Sequence, residues 1–505
     1  MPTQWQTFPI KFEGGLTTNL GRLEQGIQAP GSATILQNFE QDVQGGYTRI
    51  LGYSKFSDTA VTGTGQVFGV VALSSSEVLA ARGTGFYYSS GTTWTSKLAF
   101  ASTPISRISS DTYNFTGTRK TVVVDGLNPP AYFDHSAKTM AYAVGAPSDV
   151  VGATRVKVFK SHIFFAKGRL LSFTSPYSES GFSVANGAGT INVGDDITGL
   201  TIFRDQLIVF CLNSIYRING STVSDFTLSV ITNQTGCLDG NTVQEVGGDV
   251  MYLGPDGVRY LSASERENDF GLTRASEKIQ NKVLEILSTS NKYASVTIAG
   301  KNQYRLFVYI ENVAQSNSVG FIAAKFSNQS AEDIAWSTTK GIKVYDVHKY
   351  QDRDKEYVVF CSDTGFVYKM ESGSSFDGAN IEAIFETPYM PITDPKLRKT
   401  FYKHTLYVKP GGTFNLMCSL KFDYAQANSS PASPFDIQSS SSSSIYGDPD
   451  TTYGTAVYGS SGQEQYYNNT VGSGFVVALR YTDNSQRPSF NLNFVVLEYR
   501  QNERR

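Results

Sequence analysis

The chain has 505 residues, of which 40% are hydrophobic and only 17% charged, with 29 Tyr and 32 Phe. That length exceeds one ordinary core, and the shortfall in charge is filled by Gly, Ser, Thr, Asn and aromatics, the vocabulary of strands and their turns. A formal net charge of −2 gives no field to attract a polyanion, which argues against a protein that grips nucleic acid.

Residues 1–60 contain few long strands and read as an N-terminal arm, of which residues 1–50 should be removable with loss of assembly but with far-ultraviolet dichroism left largely β. From 61 to 390 one hairpin pattern returns: a short apolar strand, a Gly- or Asn-bearing turn, and a second strand rich in Tyr or Phe. It runs through Glu77–Ala81 and Phe86–Tyr88, Thr121–Val124 and Tyr132-Phe133, His162–Phe165 and Leu170–Phe173, Gln206–Phe210 and Ile215–Ile218, and Asp249–Leu253 and Val258–Leu261. Looser copies follow at Tyr304–Ile310 with Val319–Phe326, and at Tyr357–Phe360 with Phe366–Met370. A turn-to-turn spacing of about 40 to 45 residues is the period of a four-stranded propeller blade. A blade cannot bury both faces alone, and radial stacking supplies the missing cover. The pattern therefore predicts an all-β chain whose main body is a β-propeller of six or seven blades. A stack of β-sandwiches is the competing arrangement, since it too gives short strands at regular turns. One short helix is expected near 276–287, where Ile279, Val283, Ile286 and Leu287 share a helical face.

Residues 391–505 read as a C-terminal β-sandwich-like domain. Its strong blocks are Thr405–Val408 with Phe414–Met417, and Phe475–Leu479 with Phe490–Phe494. Between them lies a long polar insertion, 425–472, which holds the serine run Ser439–Ser444. It also carries Tyr446, Tyr453, Tyr458, Tyr466 and Tyr467 among Gly and Ser. Tyr offers a large amphipathic contact at low rotamer cost, so these five residues form a candidate partner-contact loop.

No constellation for chemistry emerges. The four His and four Cys are dispersed, without metal-ligand or CxxC spacing, so the cysteines read as buried free thiols and no metal or cofactor is expected. Ser89-Ser90-Gly91-Thr92-Thr93-Trp94 departs from the Asp-box turn of sialidase propellers at the Asp position. No nucleophile elbow, phosphate loop or dinucleotide fingerprint is present. The expectation is a protein that is not an enzyme. The first residues lack the charged and apolar regions of a secretion signal, and no apolar run has the length of a membrane span, which reads as assembly in a cytoplasm.

Several stretches resemble the tail nozzle proteins of short-tailed bacteriophages, also called packaged-DNA stabilisation or tail hub proteins. They are Gly14-Gly15-Leu16, Pro30-Gly31-Ser32-Ala33, Asn38-Phe39 and Gly46–Tyr53 in the arm, then Asp196–Leu200 with Phe203–Phe210 and Ser214-Ile215-Tyr216. Gly236-Cys237 through Tyr260, Ala275–Ile279 and Ala335-Trp336-Ser337 complete the likeness. The resemblance implies a structural virion protein of the tail, assembled in the host cytoplasm as a ring, typically a homohexamer, below a portal-proximal adaptor ring. It implies tail fibre, spike or plug proteins as distal partners, and packaged DNA passing through the lumen without sequence-specific binding. The other expectation from the residues is a virion adhesin or carbohydrate-binding propeller, whose exposed Tyr and Trp would stack on sugars.

Overall fold

The computed structural model describes residues 5–103, 105–261, 274–288, 291–325, 334–353, 355–425, 433–439 and 464–502. Four antiparallel sheets of four strands follow one another along the chain, built from residues 67–99, 109–142, 155–192 and 197–232. A fifth sheet holds Gln244–Val246, Asp249–Gly254 and Gly257–Tyr260, with Arg274 bridged to Arg259 at its outer side. The sixth is Lys292–Ile298, Gln303–Tyr309, Val319–Ala324 and Ala335–Lys340, and the seventh begins at Asp346–Asp352, Lys355–Cys361 and Val367–Met370. These are seven propeller blades.

The ring closes because each blade buries both faces. Strands alternate their side chains, so the second strand of blade 7 sends Val358 and Phe360 into the core shared with blade 6 and Val359 and Cys361 into the core shared with blade 1. The same division holds between blades 1 and 2 (Leu79, Phe86 against Val123, Phe133), 2 and 3 (Val122 against Phe165), 3 and 4 (Phe164 against Val209), and 4 and 5 (Phe210 against Tyr252). Met251 and Val258 of blade 5 meet Tyr304 and Leu306 of blade 6 in the remaining core. Each fully buried side chain of this size contributes about 1.5–3 kcal/mol.

Blade 7 is completed from the other end of the chain. Tyr53–Lys55 pairs antiparallel with Val367–Met370, in the register Tyr53↔Met370 and Lys55↔Tyr368. Ile35–Gln37 joins the outer strand of blade 6 in parallel (Gln37↔Thr338) and pairs antiparallel with Ile381–Glu386 on its other side. Blade 6 therefore runs on, through Ile381–Glu386, Val477–Ser485, Asn415–Phe422 and Phe435–Gln438, as one nine-stranded sheet.

A second sheet lies over this extension: Phe39–Gln41, Tyr47–Arg49, Phe490–Gln501, Lys399–Pro410 and Glu464–Gly474, with Gln6–Lys11 also paired to Phe490–Gln501. The two sheets form a sandwich around Phe12, Tyr47, Phe385 and Tyr481, with ring centroids of Phe12 and Phe385 4.8 Å apart and of Tyr47 and Phe385 4.9 Å apart. The chain crosses between the sheets at two of its C-terminal turns. Lys399–Pro410 and Asn415–Phe422 lie in opposite sheets, as do Val477–Ser485 and Phe490–Gln501. Their blocks are successive in sequence but are not hairpins.

Residues 5–60 are thus woven into both bodies and do not stand apart as an arm. Two positions show why the arm has its sequence. Gly15 takes φ +70°, and a Cβ there would sit 2.7 Å from the backbone nitrogen of Trp336, so only glycine lets Leu16 N–H reach Trp336 O at 2.7 Å. Asn38, at φ 54°, switches the arm from one sheet to the other. Its Nδ2 donates to the carbonyls of Lys340 and Glu382, both at 2.9 Å, and its Oδ1 accepts from Lys340 N–H at 2.9 Å.

The expected helix is present as a 3-10 turn, Glu277–Ile279, continuing into Gln280–Ile286, with Ile279 and Val283 fully buried. A second helix, Arg22–Gln28, was not signalled by periodicity, since only Gln25 and Gly26 of it are buried. Among the described residues, no helix is long and apolar enough to cross a membrane.

Candidate interaction surface

The polar insertion expected at 425–472 is partly sheet. Phe435–Gln438 pairs with Asn415–Phe422, and Glu464–Gly474 pairs along Lys399–Pro410 from Val408↔Glu464 to Lys399↔Gly474. The segment hides its strand character because its inward positions are Tyr466, Asn468, Thr470 and glycines in place of aliphatic residues. Tyr446, Tyr453 and Tyr458 lie outside the described residues.

Tyr466 and Tyr467 are neighbours on this strand and face opposite ways. Tyr466 packs edge-on to Phe414 at 5.4 Å, and its hydroxyl donates to Glu464. Burial and that carboxylate raise its ionisation well above the usual tyrosine range. It is part of the core. Tyr467 projects from the sandwich at 67% exposure, with the Lys403 ammonium 5.1 Å from its ring centre. On the same outer face Tyr407 stacks on Phe494, centroids 4.0 Å apart and 13° from parallel. Val471 and Phe475 are exposed further along, and the Arg398 guanidinium lies 5.9 Å from the Phe475 ring.

The strand is also an edge. Among the described residues its outer side pairs with nothing, and its sequence carries no Lys, Arg or Pro, the residues that ordinarily blunt an exposed edge. An open row of backbone donors and acceptors beside exposed Tyr467 and Val471 can take an added strand from a partner. Of the five tyrosines read as a contact loop, the structure assigns surface exposure to Tyr467 and a packing role to Tyr466.

The residues that line the propeller axis were not signalled in sequence. Arg107, Arg155, Asp239 and Lys292 meet there from four separate blades or blade connections. Each stands alone in its stretch of chain, and only their place in or beside the innermost strands joins them.

Among the described residues no three metal-ligating side chains cluster. The histidines His135 and His348 are lowered to about 4 by burial, and all four cysteines are buried and free. The Ser89–Trp94 stretch is a blade turn. Ser89 Oγ accepts from Gly91 N–H at 3.1 Å, and Trp94 Nε1 donates to Thr59 O at 3.0 Å.

The fold and this surface define a seven-bladed β-propeller continued into a β-sandwich. No family model matches the chain, and no curated protein matches it. Among solved structures it is similar to the extracellular domain of a protein described as a one-component system from B. thetaiotaomicron, at 11% identity and a TM-score of 0.41, covering 70% of this chain and 43% of that one. It is also similar to YCF48 bound to D1 peptide, at 8% identity and a TM-score of 0.38, covering 62% of this chain and 95% of that one. The computationally designed Ika8 protein gives 9% identity and a TM-score of 0.34, covering 63% of this chain and 99% of that one.

Proposed function

We propose that the chain is a structural virion protein, one subunit of a tail nozzle ring in a short-tailed phage, which surrounds the DNA exit channel and attaches distal tail components. The observation that carries this reading is the arm. The stretches that resemble nozzle proteins, Gly14-Gly15-Leu16, Asn38-Phe39 and Gly46–Tyr53, are the ones that join the propeller to the sandwich, through Gly15 against Trp336, Asn38 between two sheets, and Tyr53 in blade 7. A conduit wall needs rigidity, and this weave ties two bodies into one. The open edge at Glu464–Gly474 supplies a surface for a neighbouring subunit or a distal partner. A net charge of −2 suits a channel through which a polyanion must slide, because Lys/Arg contacts to phosphates would add grip.

The test is location. Gold-labelled antibody against the chain should decorate the tail of the parent particle, and native mass measurement of isolated tails should release a ring built of 55.2 kDa subunits. Tyr467→Ser combined with Val471→Lys should leave the monomer folded and reduce its incorporation about tenfold or more, as loss of an interface anchor does. Absence of the chain from particles, or glycan binding by the isolated monomer with no ring, would replace this reading with the adhesin.

A further inference from the structure

The first strands of the seven blades surround an axial channel. One mouth opens as a cavity of about 550 Å³ lined by Arg107, Arg155, Asp239, Lys292 and Tyr345. Asp239 is fully engaged. Its Oδ2 accepts from Arg107 Nη1 at 2.9 Å and Tyr293 N–H at 3.3 Å, and its Oδ1 accepts from Arg155 Nη2 at 3.2 Å and Asn241 N–H at 3.0 Å. Arg155 spends its remaining donors on backbone carbonyls, with Nε 2.6 Å from Thr198 O. Lys292 Nζ donates to Tyr345 Oη at 3.0 Å, and both Lys292 and Arg107 lie 4.8 Å from the centre of the Tyr345 ring.

Arg107 is different from its neighbours. It is 8% exposed, and beyond Nη1, which also donates to Tyr293 O at 2.6 Å, its Nε and Nη2 have no hydrogen-bond partner. A buried donor left unanswered costs about 1–3 kcal/mol, and more when it is charged. The charge count is also unbalanced. Three cations stand at the mouth against Asp239 and, from blade 7, Asp346, whose carboxyl burial raises to about 6. Nε and Nη2 form the side-on fork of a guanidinium, which matches two oxygens of one oxyanion.

We propose that this mouth binds a phosphate group, free or carried on a small ester, on the Nε–Nη2 fork of Arg107. The exposed Lys292 ammonium closes over it from the rim, and Arg155 adds charge without a direct bond. The phosphate answers the two orphan donors and the charge excess together. The site is independent of the nozzle reading, since it needs only the closed propeller.

Calorimetry on the full chain at constant ionic strength tests it, with inorganic phosphate, a nucleoside monophosphate and a short single-stranded oligonucleotide titrated separately. Phosphate should bind and raise the melting temperature where chloride does not. Lys292→Gln, at the exposed rim, should keep the fold and weaken binding severalfold. Arg107→Lys should weaken it about tenfold, as loss of charged hydrogen bonds does. Tighter binding of the monophosphate than of phosphate places an ester in the cavity. Equal affinity makes free phosphate the ligand, and affinity that grows with the oligonucleotide alone overturns a small-molecule site. No phosphate-specific heat or stabilisation, or equal binding by wild type and Lys292→Gln, overturns the proposal and leaves water as the partner of Arg107.

Discussion

Arg305 Nη2 donates to Glu40 Oε2 at 2.8 Å, with the two side chains 2% and 4% exposed and 265 residues apart in the chain. Arg305 is on the second strand of blade 6 and Glu40 is on the arm. Glu371, just past the third strand of blade 7, accepts from Arg305 Nη1 at 2.7 Å, and Lys301 pairs with both carboxylates. Two cations and two anions thus close a buried square among the arm and two blades.

Removing one corner should be far more costly than a surface salt bridge suggests. Glu40→Ala leaves Arg305 in the interior with half its counter-charge, and the expected loss is about 3–5 kcal/mol. Glu40→Gln keeps an acceptor and should lose less. Urea unfolding reads both, as a lower midpoint with an unchanged slope. A shift of Glu40→Ala within the scatter of surface substitutions would show that the square contributes nothing.

Stability should fall as the solution is acidified below pH 6.5. Burial lowers His135 and His348 to about 4 and His404 to about 3, so each folded-state value lies below the unfolded one. Such groups contribute stability that is complete above pH 6.5 and is lost as the pH falls through 4, since only the unfolded chain takes the proton early. Asp346 works the other way, because a carboxyl raised to about 6 stabilises the fold as the pH drops from 6 towards 4. Asp483, also raised by burial, acts with Asp346, and the three histidines outweigh the two aspartates. At about pH 5 each contributes a loss on the order of 1–2 kcal/mol. Below pH 4.5 Glu371 joins them: burial raises its carboxyl, but Arg305 and Lys301 overcome this and hold it at about 2. Melting curves between pH 7.5 and 4 check the slope, and a flat or rising profile would contradict it.

The thiols should be silent. Cys211 and Cys237 are pushed up to about 12 by burial, Cys361 and Cys418 are likewise raised well above the usual thiol range, and all four are buried. Since the thiolate is the reactive form, an Ellman-type reagent should titrate none in the native chain and four after unfolding. Reductant should leave the melting temperature where it was.

What the sequence made legible was the middle of each blade. Asp249–Leu253 or Gln206–Phe210 is buried on both faces, so it reads as a continuous apolar run. The first strands border the channel and the fourth face solvent. Ser109–Tyr113 and Thr95–Ala99 are accordingly mixed in polarity, and spacing alone implied them. The arm was not legible as a partner of distant sheets. Its strands at Ile35–Gln37, Phe39–Gln41 and Tyr47–Arg49 are three residues long, too short for a period to show. At the sandwich edge, Tyr466 and Tyr467 were found by composition, but their opposite orientations follow from the pairing of Leu406 with Tyr466 and Thr405 with Tyr467. The mouth of the propeller escaped because Arg107 and Asp239 lie 132 residues apart and are joined only by ring closure.

Truncation separates the woven arm from an arm that merely drapes. Deleting residues 1–11 removes Gln6–Lys11, a strand that among the described residues pairs only with Phe490–Gln501 and whose one fully buried apolar side chain is Ile10. The expected cost is about 2–3 kcal/mol, and the shortened chain should still unfold cooperatively. Deleting residues 1–50 removes Phe12, Leu16, Leu36, Phe39 and Tyr47, each at most 1% exposed, together with Arg49 and Glu40 and the strand between blade 6 and Ile381–Glu386. Those five side chains alone represent about 10 kcal/mol, within the range of a whole domain's stability. Phe385 would lose Phe12 and Tyr47 and Tyr481 would lose Phe12, so the stacked pair they form would face water on that side. The longer deletion should therefore give an aggregating or partly unfolded chain that binds a hydrophobic dye and loses near-ultraviolet dichroism, whereas the shorter one retains both signatures of a packed core. If the 51–505 chain instead melts in a single sharp transition near wild type, the arm is an accessory, and the rigidity that supports the proposed nozzle role goes with it.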